Sequence, residues 1–315
     1  MKARRLPLDL FACSLMLVLC LIWGFQQVSI KLVDDDVSSI MQLAIRSGVA
    51  ALVLGLITLW REGRGAFSDG TLLPGLGVGL LFALEFLFIS EGLVRSTASH
   101  IGVFLYTAPI FAALGLHLIL PEERLSPVQW LGVMVAFGGI ALAFLGNPGN
   151  DSGATLLGDA MGVIAAIAWG ATTVLIRGSS LSEAAPVKTL FYQLAGAVVL
   201  LLSVAFATGK TQLHLSDRAL LSLGFQVLVV ALFSYVAWFW LLRRYLASRL
   251  SMLSFMTPLF GVGFGVLVLN EPLTSSFVFG AALVLAGLLL VSGAELLREL
   301  LRERLARRRA ANAGA

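Results

Sequence analysis

Charged residues are scarce in this chain of 315 residues, of which only 13% are Asp, Glu, Lys or Arg. That share is about half of the proportion usual in soluble proteins. Apolar residues make up 58% of the chain, more than a soluble fold of this size can bury. The composition therefore argues against a soluble domain, a disordered chain and a nucleic-acid-binding protein, and it favours an integral membrane protein.

Residues that build cofactor sites are equally few. The two cysteines, Cys13 and Cys20, lie in one apolar run and are too few for a disulfide framework or a Cys-rich metal site. The three histidines are scattered, and the sequence contains no HExxH, no GxSxG and no complete P-loop. We therefore predict that the protein uses no cofactor and no metal, and that this chain does not consume ATP directly.

Long apolar segments recur from one end of the chain to the other. Ten of them are long enough to cross about 30 Å of hydrocarbon as helices. They lie near 10–30, 37–60, 71–93, 97–119, 127–146, 155–176, 185–208, 219–242, 250–269 and 273–294. Their Leu, Ala and Gly content lacks the alternation of a membrane β-strand. The predicted fold class is thus an all-α integral membrane protein with ten transmembrane helices.

Lysine and arginine are distributed unevenly between the two predicted sides of the membrane. Of the 22 basic residues, 17 fall on the side that holds both termini, four fall on the other side, and Arg46 lies within a span. Basic residues concentrate on the cytoplasmic side of membrane proteins. We therefore predict a bacterial-type inner membrane protein with both termini in the cytoplasm. The basic tail 295–315 is predicted to contact the lipid bilayer.

The chain also resembles itself, which indicates an internal duplication. The matching segments are Trp23–Lys31 with Trp169–Arg177 at an offset of 146, then Ala98–Phe111 with Ala247–Phe260, and Glu122 with Glu271, at an offset of 149. Each half has five spans, so the second half enters the membrane inverted, as in many secondary transporters. The predicted organisation is a cytoplasmic N terminus (1–9), a first repeat (10–146), an outer linker (147–154), a second repeat (155–294) and the tail.

These duplicated motifs resemble one known family. The order is Trp-Gly in the first span, Arg in the second, Pro in the fourth, Glu after it and a glycine-rich fifth span. It is similar to that of the drug/metabolite transporter superfamily, in particular its ten-helix EamA-type members. The overall sequence is most similar to bacterial exporters of aromatic amino acids. The resemblance implies export of small metabolites, with the fifth helix of each half outside the central cavity.

Two charges lie well inside predicted spans. Glu85 shares one helical face with apolar residues near the middle of the third span. A charge at that depth is costly, so it should face protein or water. Glu85 is a candidate to bind a substrate ammonium or a proton, with a paired structural carboxylate as the alternative. Arg46 is a candidate for a substrate carboxylate, and the alternatives are packing, gating, or pairing with Glu85 or Glu91.

Aromatic residues and prolines complete the set of candidates. Aromatic side chains bind apolar groups and hold cations over their rings. The candidate substrate contacts of this kind are Trp23, Phe82, Phe86, Tyr106 and Trp169. Trp238 and Trp240 are interpreted as interfacial residues near the cytoplasmic end of a span. Pro109 and Pro258 remove helix hydrogen bonds near mid-membrane, so they are predicted to be kinks that permit gating or that are simply static.

Glycines recur in the last span of each half, at Gly132, Gly139, Gly280 and Gly287 among others. Small residues allow helices to approach closely in membranes. These two helices are interpreted as scaffold, with a homodimer surface as an alternative.

The favoured function is a secondary transporter that exports small metabolites, amino acids in particular, by alternating access. The runner-up interpretations are an exporter of other metabolites or drugs, and a channel or structural membrane protein. A membrane-embedded enzyme is disfavoured, because no paired acids, metal cluster or nucleophile dyad is visible.

Overall fold

The computed structural model describes residues 9–65, 69–120, 124–145, 155–245, 250 and 253–293, and these ranges are helical apart from their connections. The first repeat contains α1 (Leu10–Leu32), α2 (Ser39–Glu62), α3 (Leu72–Arg95), α4 (Ala98–Leu105), α5 (Ala108–Ile119) and α6 (Pro127–Leu145). The second contains α7 (Leu156–Arg177), α8 (Pro186–Thr208), α9 (Asp217–Gly224), a π-helix (Phe225–Ser234), α10 (Tyr235–Arg244), α11 (Met256–Leu269) and α12 (Ser275–Gly293). Residues 1–8 of the predicted N-terminal segment (1–9), the predicted linker (147–154) and the predicted tail (295–315) lie outside the described residues.

These elements form ten membrane-spanning positions. Eight stretches of the described chain are long and apolar enough to cross a membrane, and α6 and α11 are shorter apolar helices. The fourth span consists of α4 and α5, while the eighth consists of α9, the π-helix and α10. Each position coincides with one predicted segment, so the all-α, ten-helix membrane fold is confirmed.

Two symmetry-related spans are interrupted at the same point of the repeat. The fourth span is broken by a turn at Tyr106 and Thr107, and a turn at Phe255 precedes α11. Pro109 and Pro258 each lie in the first turn of the helix that follows the interruption. A proline fits there because the first-turn N–H groups of a helix have no internal acceptor. The predicted kinks are therefore located one turn earlier than the prolines, and their role in gating stays a prediction.

The halves pack against each other along most of their helices. Helix α3 lies against α7 and α8, α2 lies against α8, and α1 lies against α11. Glycine permits the closest of these crossings. A methyl carbon placed on Gly196 of α8 would lie 2.4 Å from the backbone of Gly79 in α3. Only glycine at both positions allows the two backbones to touch.

Because successive spans run in opposite directions, their ends define two faces. We call the face where α1 begins the terminal face and the other the distal face. At the terminal face, the buried Lys188 of α8 lies 2.6 Å from Asp69 and 3.1 Å from Glu62 of the first repeat. The hydrogen bond from Lys188 and a second one from Thr71 hold the pKa of the Asp69 carboxyl at about 2. The two halves are thus joined by charge pairs where the spans meet water.

Helices α6 and α12 contact each other through the repeated glycines. A methyl carbon on Gly132 would lie 2.8 Å from the carbonyl oxygen of Gly287, and one on Gly139 would lie 2.6 Å from that of Gly280. The two helices therefore pack within one chain, as scaffold. All four glycines lie in this contact within one chain, so they do not form the predicted homodimer surface. A homodimer through other residues stays a prediction.

We expect Gly139→Leu to lower the thermal stability of the purified protein, because overpacking a tight contact costs about 1–3 kcal/mol. The matched control is Gly138→Leu on the same helix, where an added methyl carbon meets nothing within 4 Å. Melting followed by size-exclusion chromatography measures both variants. An equal loss of stability in the two would show that the α6–α12 contact is not the tight interface described here.

Candidate functional site

Arg46 is the most unusual side chain of the fold. It lies on α2 and is completely buried, and none of its three guanidinium nitrogens has a hydrogen-bond partner among the described residues. The guanidinium carbon stands 4.5 Å from the centre of the Phe86 ring, which is a cation–π contact. Phe86 thus covers one face of the cation and leaves its five N–H donors unused.

Glu85 brings the opposite charge to the same region. It lies on α3 with 5% of its surface exposed, and its Oε2 atom has no hydrogen-bond partner within the described chain. Arg46 interacts with it electrostatically, but no ion pair within 4.0 Å joins the two among the described residues. The predicted pairing of Arg46 with Glu91 is wrong, because Glu91 pairs with Arg95 at 2.5 Å and with Lys210.

Aromatic side chains surround the two charges. Phe82 lies edge-on to Phe86 with 4.5 Å between the ring centres, and Tyr106 lies edge-on to Trp169 at 5.7 Å. Tyr106 is also within electrostatic range of Glu85 and Tyr235. We call the group Arg46, Phe82, Glu85, Phe86, Tyr106, Trp169 and Tyr235 the central site. Six of these seven residues are sequence-predicted candidates.

Trp23 lies at the edge of the central site. Its indole N–H donates to the hydroxyl of Ser234 at 2.9 Å, and its ring meets that of Trp238 edge-on at 5.7 Å. Trp238 is half-buried against Trp23, and its interfacial position stays a prediction. Trp240 is 36% exposed and does lie at the surface, where Arg244 stacks on it.

The π-helix places one residue, Tyr235, that the sequence did not assign to the site. It ends at Ser234, directly before Tyr235, and Tyr235 is within electrostatic range of both Arg46 and Glu85. π-Helical segments are frequent at functional sites. Tyr235 is one of four tyrosines in the chain, and its position inside an apolar span was the available signal.

A layer of buried amides and hydroxyls separates the central site from the distal face. Gln226 of the π-helix donates to the side-chain oxygen of Gln42 at 2.8 Å, and Ser222 and Ser29 lie 2.8 Å apart. Gln42 itself donates to the carbonyl oxygens of Ile30 and Val37. These contacts join the two repeats. They were not predicted from the sequence, where only the charged and aromatic residues of the spans were taken as candidates.

The side chains present in the described ranges do not form a metal site. No group of three or more His, Cys, Asp or Glu residues is arranged to hold a metal ion within that part of the chain. The central site offers instead a cation, a carboxylate and aromatic rings in an apolar setting. It is suited to a small organic molecule that carries charges of both signs.

Comparison with known proteins agrees with this architecture. The model of the EamA-like transporter family matches residues 10–145 and again residues 156–293. A solved crystal structure shares 16% identity with a TM-score of 0.61, and the match covers 91% of this chain and 96% of the other. That likeness shows the fold.

Relatives with curated names are similar over nearly their whole length. An uncharacterized transporter of Bacillus subtilis, YoaV, is 25% identical over 85% of this chain and 92% of its own. A probable amino-acid metabolite efflux pump of Escherichia coli is 25% identical over 87% of this chain and 92% of its own. Its counterpart in Salmonella typhimurium is 24% identical over the same shares.

We expect Arg46→Met to leave the melting temperature unchanged or to raise it. A buried charge without hydrogen bonds destabilises a fold, whereas an apolar side chain of similar size at the same position does not. Melting in detergent measures the effect. The matched control is Lys188→Met, which removes an equally buried cation that does have carboxylate partners. This control should melt lower than the parent. A fall of about 5 °C or more for Arg46→Met would contradict the absence of structural partners.

Proposed function

Since the chain belongs to the EamA-like transporter family and is a multi-pass membrane protein that moves small molecules, we propose that it exports zwitterionic amino acids, including aromatic ones. The proposal places it in a bacterial inner membrane with both termini in the cytoplasm, as the 17 basic residues on that side favour. Transport proceeds by alternating access, in which the central site opens to one face at a time.

The observation that carries this proposal is the pair of unsatisfied opposite charges. Arg46 has free donors that match a carboxylate, and the Oε2 atom of Glu85 is a free acceptor that matches an ammonium. An α-amino acid supplies both groups on neighbouring atoms. Binding of an amino acid therefore supplies hydrogen-bond partners to both Arg46 and Glu85. Hydrogen bonds are electrostatically stronger in the low-dielectric interior of a protein than in water.

Aromatic rings account for the preferred side chain. Phe82, Phe86, Tyr106 and Trp169 offer ring faces and edges beside the two charges. Aromatic pairs gain about 0.5–1.5 kcal/mol beyond the burial of their area. The relatives named as probable amino-acid metabolite efflux pumps support the same substrate class, though at low identity.

The main alternative is a transporter of other metabolites or drugs in the same fold. A substrate with one charge, or with none, would leave Arg46 or Glu85 without a partner when bound. A channel is the other alternative, and it differs by conducting without saturation. The family membership favours a transporter over an enzyme.

We expect purified protein in liposomes to take up labelled phenylalanine with saturation, and unlabelled tryptophan to compete. Phenethylamine lacks the carboxylate and 3-phenylpropionate lacks the ammonium, so each should compete at least about tenfold less well, since a lost charged hydrogen bond costs about 1.5–3 kcal/mol. In Arg46→Met, phenethylamine should compete as well as an amino acid does, because the partner of the missing carboxylate is gone. In Glu85→Gln, the same should hold for 3-phenylpropionate, which lacks the ammonium.

Further readings of this assay decide between the alternatives. Equal competition by tryptophan, phenethylamine and 3-phenylpropionate would contradict the zwitterion site, and linear, unsaturated uptake would indicate a channel. Uptake that depends on a pH gradient in the parent, but not in Glu85→Gln, would make Glu85 the proton carrier. Rates that do not change with pH would exclude that role.

We also expect Phe86→Ala and Tyr106→Ala to shift preference from phenylalanine towards smaller amino acids such as alanine, because each removes a ring from the central site. Phe233→Ala is the control, since Phe233 lies within the π-helix but is 48% exposed. Competition by alanine and by tryptophan measures the preference. Parent selectivity in both ring variants would mean that these rings only pack the fold.

A further inference from the structure

The beginning of α4 on the distal face is held by a carboxylate from the other repeat. Glu271 follows α11, and its two oxygens accept hydrogen bonds from the backbone N–H of Ala98 at 2.6 Å and that of Ser99 at 2.9 Å. The hydroxyl of Ser99 donates to Glu271 at 2.6 Å, and the ammonium of Lys31 lies 3.7 Å away. The first N–H groups of a helix lack internal acceptors and favour an anion, so this contact is electrostatically strong.

Local sequence aims Glu271 at that helix end. Asn270 ends α11 in the left-handed conformation, with φ of 53°, and the N–H of Glu271 returns to the carbonyl of Gly265. A methyl carbon on Gly265 would lie 2.5 Å from a carboxylate oxygen of Glu271 and would also collide with the Ser99 hydroxyl. The absence of a side chain at 265 is thus required for the contact.

A second acid of the same repeat holds the same segment. Asp159, in the first turn of α7, accepts from the hydroxyl of Ser96 at 2.5 Å and contacts Nδ1 of His100 at 2.9 Å. The His100 ring stacks on Phe277 of α12 with 3.8 Å between the centres. Both acids are at least 90% buried, so the chain between α3 and α4 is enclosed by the second repeat at the distal face.

The enclosed segment is the one that would move if the distal face opened. Helix α4 has only eight residues, and it ends at the interruption that precedes α5. Tyr106 of the central site lies in that interruption. Helix α4 also packs along its length against α7 and α11 of the second repeat. Any movement of α4 away from the second repeat therefore requires release of its bound first turn.

We propose that Glu271 is the latch of the distal face: its carboxylate on the first turn of α4 keeps the central site closed to that side, and its release opens the site there. The inference rests on the proposed function only in requiring that the site alternates between faces. Asp159 and Lys31 hold the same segment and assist the latch. Glu91 pairs with Arg95 and Lys210 on the same face, and among the described residues no hydrogen bond or ion pair joins its side chain to α4, so it has no part in the latch.

A native cysteine reports on the state of the latch. Cys20 is buried and within electrostatic range of Tyr106, and Cys13→Ser leaves it as the only cysteine of the sequence. A membrane-impermeant maleimide is added to intact bacterial cells, and the rate of labelling is measured by mass shift. An added cysteine at the exposed distal position Asp35 establishes in a parallel sample that the distal face is outside.

We expect Glu271→Gln to raise the labelling rate of Cys20 at least threefold. Gly265→Ala should do the same without removing a charge, because it displaces the carboxylate by collision. Glu91→Gln is the matched control, a neutralised carboxylate on the same face, and its rate should stay within twofold of the parent. Size-exclusion profiles establish whether each variant is folded. If Glu271→Gln does not fold, Gly265→Ala alone tests the proposal.

Unchanged labelling in a folded Glu271→Gln or Gly265→Ala variant would overturn the latch. An equal rise in Glu91→Gln would also overturn it, since any loss of charge pairing on that face would then be sufficient. The labelling needs no substrate, so its outcome is separate from that of the uptake assay. Amino-acid uptake together with unchanged labelling would reject the latch alone, while increased labelling without amino-acid uptake would reject the proposed substrate alone.

Discussion

A bilayer offers no water to a charge inside it, so a buried ionic group is stable only with partners from the protein or from a ligand. This constraint separates the charges of the structure into two kinds. Lys188, Glu271 and Asp159 lie near the two faces and are held by side chains or helix ends of the opposite repeat. Arg46 and Glu85 lie deeper and keep unused donors and acceptors. Charge pairs at the faces join the two halves, and the unpaired groups between them are the basis of the proposed substrate site.

The inverted repeat explains why the proposed substrate site lies beside a divided span. Both repeats interrupt a span at the same position, at Tyr106–Thr107 and at Phe255, and the first interruption contributes Tyr106 to the central site. The scaffold lies elsewhere, in the glycine-mediated contact between α6 and α12. The same five-helix unit therefore supplies closely packed helices at its end and a divided helix at the central site.

The sequence was sufficient for the fold because the apolar runs are long and charges are rare. Rarity also identified Arg46 and Glu85, since a lone charge in a span has few explanations. Partners were harder to predict. Glu91 lies on the same helix as Glu85, yet it pairs at the face with Lys210, because the partners within its reach depend on how α3 meets α8. The glycine pattern likewise showed that α6 makes a close contact but not that the contact is with α12.

The contact made by Glu271 and the presence of the π-helix were not predicted, for different reasons. A carboxylate after a span reads as a solvated loop residue, and only the returning turn at Asn270 brings it to Ala98. The π-helix has the same apolar composition as an α-helix, so composition holds no signal for it. The repeat offset does change, from 146 before this span to 149 after it, which shows that the second copy carries extra residues in between.

The π-helix has no counterpart in the first repeat, where the related span α3 is α-helical from Leu72 to Arg95. A carrier made of two identical inverted halves would look the same from either side and would bind its cargo with one affinity at both. Here one half has a π-helix beside the central site and the other does not. Under the proposed function, the forms of the site that open to the two faces therefore differ in shape and bind the substrate with different affinities. The two faces then saturate at different substrate concentrations, while net movement still requires a gradient to drive it.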